Sequence, residues 1–282
     1  ADRLGLTPED RRIIVACAAG AGLAAVYSIP LSGAIYTLEI LLVSRSGRAV
    51  APAFLTSGIA VLVSTGFTRP EAFYTVPTLT PSLSLTVFAV IVGPLLGAAG
   101  WAFKKAVARI SAERPRDWRL LVALPLASFL VGVTSVWVPS VVGNGQASAQ
   151  TQFDATWATG MGLAFALLVL LAKTATTLLT IRAGGWGGVL TPAVALGAGL
   201  GALIGLPWAT AWPGSEVAAF TFLGAAAFLG ASMKAPFTGL ILVIEFTAQG
   251  PTILVPAVLA VGGATAAATW LTHRASLGHQ AR

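Results

Sequence analysis

The sequence predicts an all-α integral membrane domain, a multi-helix bundle of tilted and broken helices built on an internal repeat. Three observations carry that prediction. Charged residues make up only 10% of the chain and hydrophobic ones 56%, whereas a soluble domain carries about 25% charged residues. Too little charge is left to cover a water-facing surface. The apolar residues fall in long runs separated by short, basic connections. Finally, two distant stretches spell the same pattern. Pro30-Leu31-Ser32-Gly33 runs through apolar residues to Glu39, and Pro236-Phe237-Thr238-Gly239 runs likewise to Glu245. Upstream, Leu23 and Ala25 match Leu229 and Ala231.

The elements can be justified in order. Thr7-Pro8-Glu9-Asp10 reads as a helix start, with an N-cap threonine, proline at the first position and acids in the first turn. The helix it opens runs to about Tyr27, and Pro30 starts another to about Val43. Further apolar segments follow at 49–65, 83–110, 118–138, 158–181, 188–210, 217–232, 236–247 and 252–271. A bilayer-spanning helix needs about 20 apolar residues. Several segments are long enough to span, whereas 30–43 and 236–247 are too short. Short, proline-opened segments at matching places in two halves are the mark of helices that end inside a membrane, as repeat-built transporters use them. The 31 glycines suit close helix packing in lipid, where small residues let backbones approach.

The net charge of +7 comes from basic residues placed between apolar segments. Arg11 and Arg12, Arg45 and Arg48, the stretch from Lys104 to Arg119, and Arg274 with Arg282 fit the Lys/Arg excess of cytoplasmic loops. Segment 67–83, containing Thr68-Arg69-Pro70-Glu71, is less basic and reads as external. Lys104 to Arg119 reads as a solvated cytoplasmic loop, compatible with lipid-headgroup contact. A nucleic-acid partner is not implied by this distribution. No linker or low-complexity stretch divides the chain, so 1–282 reads as one transmembrane transport domain.

The residue inventory excludes several chemistries. Cys17 is the one cysteine, which rules out an intrachain disulfide or a thiolate metal cluster. Both histidines, His273 and His279, lie in the last ten residues. No paired acids, Ser–base arrangement or HExxH occurs within the apolar segments, so the chain reads as no enzyme, with no metal and no cofactor.

The sharpest local signal is Arg182-Ala183-Gly184-Gly185-Trp186-Gly187-Gly188-Val189-Leu190-Thr191-Pro192. Glycines leading into an apolar helix let main-chain N–H groups converge at a positive helix terminus, which holds a small anion without a full charge. A glycine hinge that merely lets helices pack is the equal alternative. Among intramembrane charges, Glu39 is a candidate for a proton path and Glu245 a weaker one. Lys173 interrupts segment 158–181. It either pairs with a carbonyl or an acid, or adds positive potential along an anion path. Lys234, Asp154 and Glu216 read as loop or helix-start residues. Trp101, Trp137, Trp208 and Trp212 lie near segment ends, as in an interfacial belt.

The glycine segment and its sequel, Gly187-Gly188-Val189-Leu190-Thr191-Pro192-Ala193-Val194-Ala195-Leu196-Gly197, resemble the filter segment G-[KG]-[IVL]-F-x-P of the CLC chloride channel and transporter family and the small-residue helix that follows it. Pro139-Ser140-Val141-Val142-Gly143-Asn144-Gly145 is similar to that family's P-x-x-x-G-x-G loop. The two P-x-x-G-x5-E copies resemble its pair of symmetry-related dimer-interface helices. The resemblance runs along essentially the whole chain. It implies inverted repeats and transport of chloride or a similar small anion, as a channel or an anion/proton exchanger. The anion would be held by the backbone of Val189 and Leu190, in a filter also containing Gly187, Gly188 and Pro192. It further implies a homodimer through 30–43, 49–65, 236–247 and 252–271, in a bilayer that is the bacterial plasma (inner) membrane.

The departures from the family pattern carry implications too. Two of the family's four path segments, G-S-G-I-P and G-R-E-G-P, do not occur in this sequence. The resemblance is therefore to roughly the last two-thirds of a member, an N-terminally incomplete form. Leu190 stands for the filter phenylalanine, and Arg274 to Gln280 contains no counterpart of the terminal tyrosine. Ile40 falls where exchangers carry an internal glutamate, with Glu39 one residue before; this implies weak proton coupling. The alternative is a truncated, non-transporting scaffold or dimerising subunit.

Overall fold

A computed structural model describes residues 5–43, 47–67, 71–154, 162–214 and 216–280. Arg45, Thr68-Arg69-Pro70 and Arg282, which the sequence places in polar connections, lie outside the described residues. The described residues are helical throughout their ordered elements. In chain order these are α1 (Pro8–Tyr27), α2 (Pro30–Tyr36, continued by a π-helical turn Thr37–Leu42), α3 (Gly47–Ser64), α4 (Leu83–Ala112), α5 (Leu120–Trp137), α6 (Gln146–Asp154), α7 (Gly162–Arg182), α8 (Leu190–Ala211), α9 (Val217–Met233), α10 (Pro236–Phe246) and α11 (Leu254–Gln280). Among the described residues, six helices are long and apolar enough to cross a bilayer, while α2 with its π turn, α9 and α10 are shorter.

α1 starts as its sequence dictates: the Thr7 side chain accepts a hydrogen bond from the Asp10 N–H at 3.2 Å, and Pro8 occupies the first turn. It stops at Ser28, which turns left-handed (φ 56°). Pro30 cannot continue a helix and so opens α2. α9 ends the same way at left-handed Lys234 (φ 56°), and Pro236 opens α10.

The core is organised around α9, in which every residue from Ala218 to Ser232 is buried. Close approach is achieved with glycine. A Cβ at Gly201 would lie 3.0 Å from the Gly224 Cα, and one at Gly93 would lie 2.8 Å from the Ala260 carbonyl oxygen. α8 thus meets α9, and α4 meets α11, backbone to backbone, the packing mode that works in lipid. α5 has the opposite character. Only Ala127 is buried in it, and Leu121, Val122, Leu126 and Phe129 stand exposed, an apolar surface suited to lipid.

Three features differ from the sequence-based expectations. Helix α6, Gln-Ala-Ser-Ala-Gln-Thr-Gln-Phe-Asp, was not anticipated, because its buried face is built from Ser148, Ala149, Gln152 and Phe153 and carries no long apolar stripe. Asp154 therefore ends a helix, where it accepts a hydrogen bond from Gln150 Nε2 at 2.5 Å. α11 continues past 271 to Gln280, since nothing before Gly278 breaks it. The described part of segment 67–83 is folded against the body. Tyr74 and Leu79 are fully buried there, and Gln150 and Gln249 each hold it with side-chain bonds to its backbone.

Candidate functional site

The glycine-rich segment divides into two structurally distinct pairs. The first pair ends a helix. Gly184 is left-handed (φ 95°), its N–H donates to the Ile181 carbonyl at 3.1 Å, and the Gly185 N–H reaches back to Thr180 at 2.9 Å. This is a Schellman termination of α7. A Cβ at Gly185 would stand 2.7 Å from Thr180 Cγ2 and 2.9 Å from the Thr180 carbonyl oxygen. These two glycines serve packing and turn geometry.

The second pair does not. No atom lies within 4 Å of where a Cβ would sit on Gly187 or Gly188. A side chain would fit there, and it would fill the space in front of the chain. That space is a cavity of about 430 Å³, lined by Gly187, Gly188, Val189 and Pro192, by Gly143 and Asn144 of the loop after α5, and by Lys173 and Thr176 of α7. α8 opens onto it at Val189 (φ −93°, ψ 7°) with no side-chain cap. The first return bond is Ala193 N–H to the Val189 carbonyl at 2.9 Å, and Pro192 has no N–H to satisfy. The main-chain N–H groups of the first turn have no acceptor within the helix, and Val189 and Pro192 at that end line the cavity with the positive end of a long helix behind them. The Leu190 side chain is buried in the core.

Lys173 is 4% exposed, and its ammonium donates to the Val141 carbonyl at 2.8 Å and the Gly143 carbonyl at 2.9 Å. It ties α7 to the Pro139–Gly145 loop. Gly145 (φ 114°) lets that loop approach α8 closely, since a Cβ there would meet the Thr191 carbonyl at 3.2 Å and Lys173 Cε at 3.4 Å. Two carbonyls satisfy hydrogen bonding but do not neutralise the charge. The cavity wall consequently carries a buried positive group as well as a helix N-terminus.

Glu39 lies outside that cavity. Its carboxylate accepts hydrogen bonds from the N–H of Phe237 (3.2 Å), the N–H of Thr238 (2.7 Å) and the Thr238 hydroxyl (2.7 Å). Glu245 does the same in reverse, accepting from the N–H of Leu31 (3.1 Å), the N–H of Ser32 (2.6 Å) and the Ser32 hydroxyl. Each copy of the repeat thus caps the first turn of the other with its own glutamate. This exchange explains why a proline, a hydroxyl, a glycine and an acid recur together. The sequence signal for it was present in Ser32 and Thr238, hydroxyl residues at one position in both copies, but spacing alone does not say that the partner is the other copy.

Known proteins resemble this chain along nearly its whole length. The model of the voltage gated chloride channel family matches residues 1–269. The chain is 30% identical over 275 residues to the H(+)/Cl(−) exchange transporter ClcA of Yersinia pestis bv. Antiqua (strain Angola), covering 94% of this chain and 56% of that protein. It is 29% identical to ClcA of Cronobacter sakazakii over 93% of this chain and 57% of the relative. It therefore spans little more than half the length of these curated relatives. In fold it is similar to a slow cyanobacterial Cl−/H+ antiporter, with TM-score 0.80 and 21% identity, covering 94% of this chain and 63% of that one. A CLC-type fluoride/proton antiporter gives TM-score 0.68 at 20% identity over 88% of this chain and 60% of its own. The chain is a multi-pass membrane protein and belongs to the voltage gated chloride channel family.

Proposed function

We propose that this chain supplies an anion-binding half-site to a chloride-type membrane transporter. The observation that carries the reading is the unobstructed glycine pair, Gly187 and Gly188, opening the uncapped N-terminus of α8 onto a cavity with a buried lysine in its wall. A helix terminus is equivalent to about half an elementary charge. Such a partial charge attracts a partly dehydrated anion and still releases it, as transport requires. Val189 and Leu190 donate from their main chains, Pro192 fixes the first turn, and Lys173 raises the local potential. The carboxylate of Glu39 is engaged in capping α10, so its role in our reading is to hold the two repeats together and not to carry protons. Ile40 beside it is apolar, which favours weak proton coupling or none.

The transporter works as a homodimer in this reading. Leu31 and Phe237, at matching places in the two short helices, are 50% and 67% exposed, and Leu55, Ile59, Val255 and Val258 extend the apolar surface on α3 and α11. Segments 30–43, 49–65, 236–247 and 252–271 are thus the proposed interface.

The test is chloride efflux from proteoliposomes carrying the complete gene product, with Gly188→Val as comparison. A Cβ at Gly188 would meet no atom within 4 Å beyond the chain neighbours, so the protein is expected to fold and efflux to fall at least about tenfold, equivalent to about 1.4 kcal/mol. Unchanged efflux from Gly188→Val, or no efflux from the parent protein, overturns the proposal.

A further inference from the structure

A second basic feature lies away from the glycine cavity, where the connection between α4 and α5 meets the end of α7. A pocket of about 730 Å³ opens there beneath four guanidinium groups, those of Arg114, Arg116, Arg119 and Arg182. Two carboxylates share the rim. Glu113 Oε2 is 3.5 Å from Arg182 Nε, and Asp117 Oδ2 is 3.8 Å from Arg119 Nε. The rim therefore keeps a net charge of two positive. Its arginines are partly preorganised. Arg182 donates to the Glu113 carbonyl at 2.6 Å, and the Arg114 guanidinium carbon stacks 4.1 Å from the Trp186 ring centroid. A stacked guanidinium presents its N–H edge outward, the geometry that grips phosphate oxygens.

Below this charged rim the pocket wall turns apolar. Leu126 and Leu130 of α5 line it, and both belong to the exposed apolar surface that α5 shows along its whole length. A free phosphate would use the rim and leave the wall empty. A molecule with a phosphate head and a hydrocarbon tail uses both. From this pairing we propose that the pocket holds the headgroup of an anionic phospholipid, with the first part of an acyl chain against Leu126 and Leu130. The location agrees with the chemistry, since α5 begins and α7 ends beside these arginines and both helices are long and apolar enough to cross a bilayer, whose headgroups would meet such helix ends. Trp186 joins this pocket to the glycine pair by adjacency in the chain, so the two basic features flank one loop.

The experiment is native mass spectrometry of the delipidated complete protein in micelles, titrated with phosphatidylglycerol, phosphatidylcholine or inorganic phosphate. The expected result is retention of phosphatidylglycerol in preference to phosphatidylcholine. Arg116→Gln and Arg119→Gln should each weaken that retention about fivefold, from the roughly 1 kcal/mol that a basic residue near a lipid surface contributes. Lys105→Gln, which removes a charge outside the pocket, should leave it unchanged. Equal retention of the two lipids overturns the proposal, as does an equal loss with Lys105→Gln. Displacement of phosphatidylglycerol by millimolar inorganic phosphate would also overturn it, in favour of a soluble phosphate ligand.

Discussion

The two Pro-x-x-Gly copies share one local grammar and live in different surroundings. Both begin after a left-handed residue with φ 56°, Ser28 or Lys234. Ile29 and Ala235 then adopt nearly the same non-helical backbone (φ −122°, ψ 73° and φ −137°, ψ 74°), in keeping with the disfavoured α region of a residue before proline. The Ile29 N–H returns to Ala24 at 3.0 Å, and the Ala235 N–H returns to Gly230 at 2.9 Å. After the glutamates the copies part. The next left-handed residue is Val43 in the first copy and Ala248 in the second. The first copy thus holds one more residue between its glutamate and its turn, and the π-helical turn Thr37–Leu42 absorbs it. Surroundings differ too: α9 is buried along nearly its whole length, whereas α1 buries only Ala16, Cys17, Gly20 and Ala24. Short-range rules and the reciprocal glutamate caps have been kept, while packing against the rest of the body has diverged.

The largest effect that can break this comparison should come from the glycines of the two motifs. A Cβ at Gly239 would lie 2.6 Å from the Gly230 Cα and 3.0 Å from the Ala226 carbonyl, both backbone that cannot yield. At Gly33 the nearest obstacle is the Ala24 Cβ at 2.6 Å, but the Gly20 carbonyl also stands at 2.8 Å. Gly239→Val should abolish recovery of a monodisperse protein in size-exclusion chromatography. Gly33→Val, in a less buried setting, should cost about 3 kcal/mol in thermal unfolding, the upper end of overpacking penalties. Equal tolerance of both would show that the copies are not held by close backbone contact.

The glutamates come next. Glu39→Ala and Glu245→Ala each remove the acceptor of two main-chain donors, one of them part-buried, and of one hydroxyl, so each should destabilise by about 1–2 kcal/mol. The double substitution should cost clearly less than twice that if the two caps act as one joint. A strictly additive result in a double-mutant cycle would separate them. Lys173→Met should cost about 1–3 kcal/mol, because the Val141 and Gly143 carbonyls lose their donor, and anion flux should fall alongside. Arg12→Ala should have the smallest effect, about 1 kcal/mol. It removes a tie to the Leu42 carbonyl (2.5 Å) that holds the end of the π turn, an attachment peculiar to the first copy.

How far the molecule was legible in its sequence follows the same division between local and distant. The starts at Thr7-Pro8, Pro30 and Pro236 could be read because capping residues and prolines act on their own neighbours. The Gly184–Pro192 segment could be recognised as special, but its four glycines look alike in sequence. Only the positions of Leu120 and Thr180 make two of them packing residues, and only the cavity in front of the other two supports the site we propose there. α6 escaped detection because a helix buried by serine, alanine and glutamine has no hydrophobic period to read. The role of Glu39 was the hardest to see. An acid in an apolar helix suggests proton chemistry; its hydrogen-bond partners lie in the other copy of the repeat, two main-chain N–H groups that carry no sequence signature and the Thr238 hydroxyl, whose acceptor the sequence does not name.

The central claim is that the anion sits at the start of α8. Bromide-soaked crystals of the complete protein, measured at the bromine absorption edge, address it most directly. An anomalous peak within hydrogen-bonding reach of the Val189 and Leu190 amides, lost in Gly188→Val, is the result predicted. A protein that transports chloride yet binds bromide elsewhere, with the α8 start empty, would contradict it.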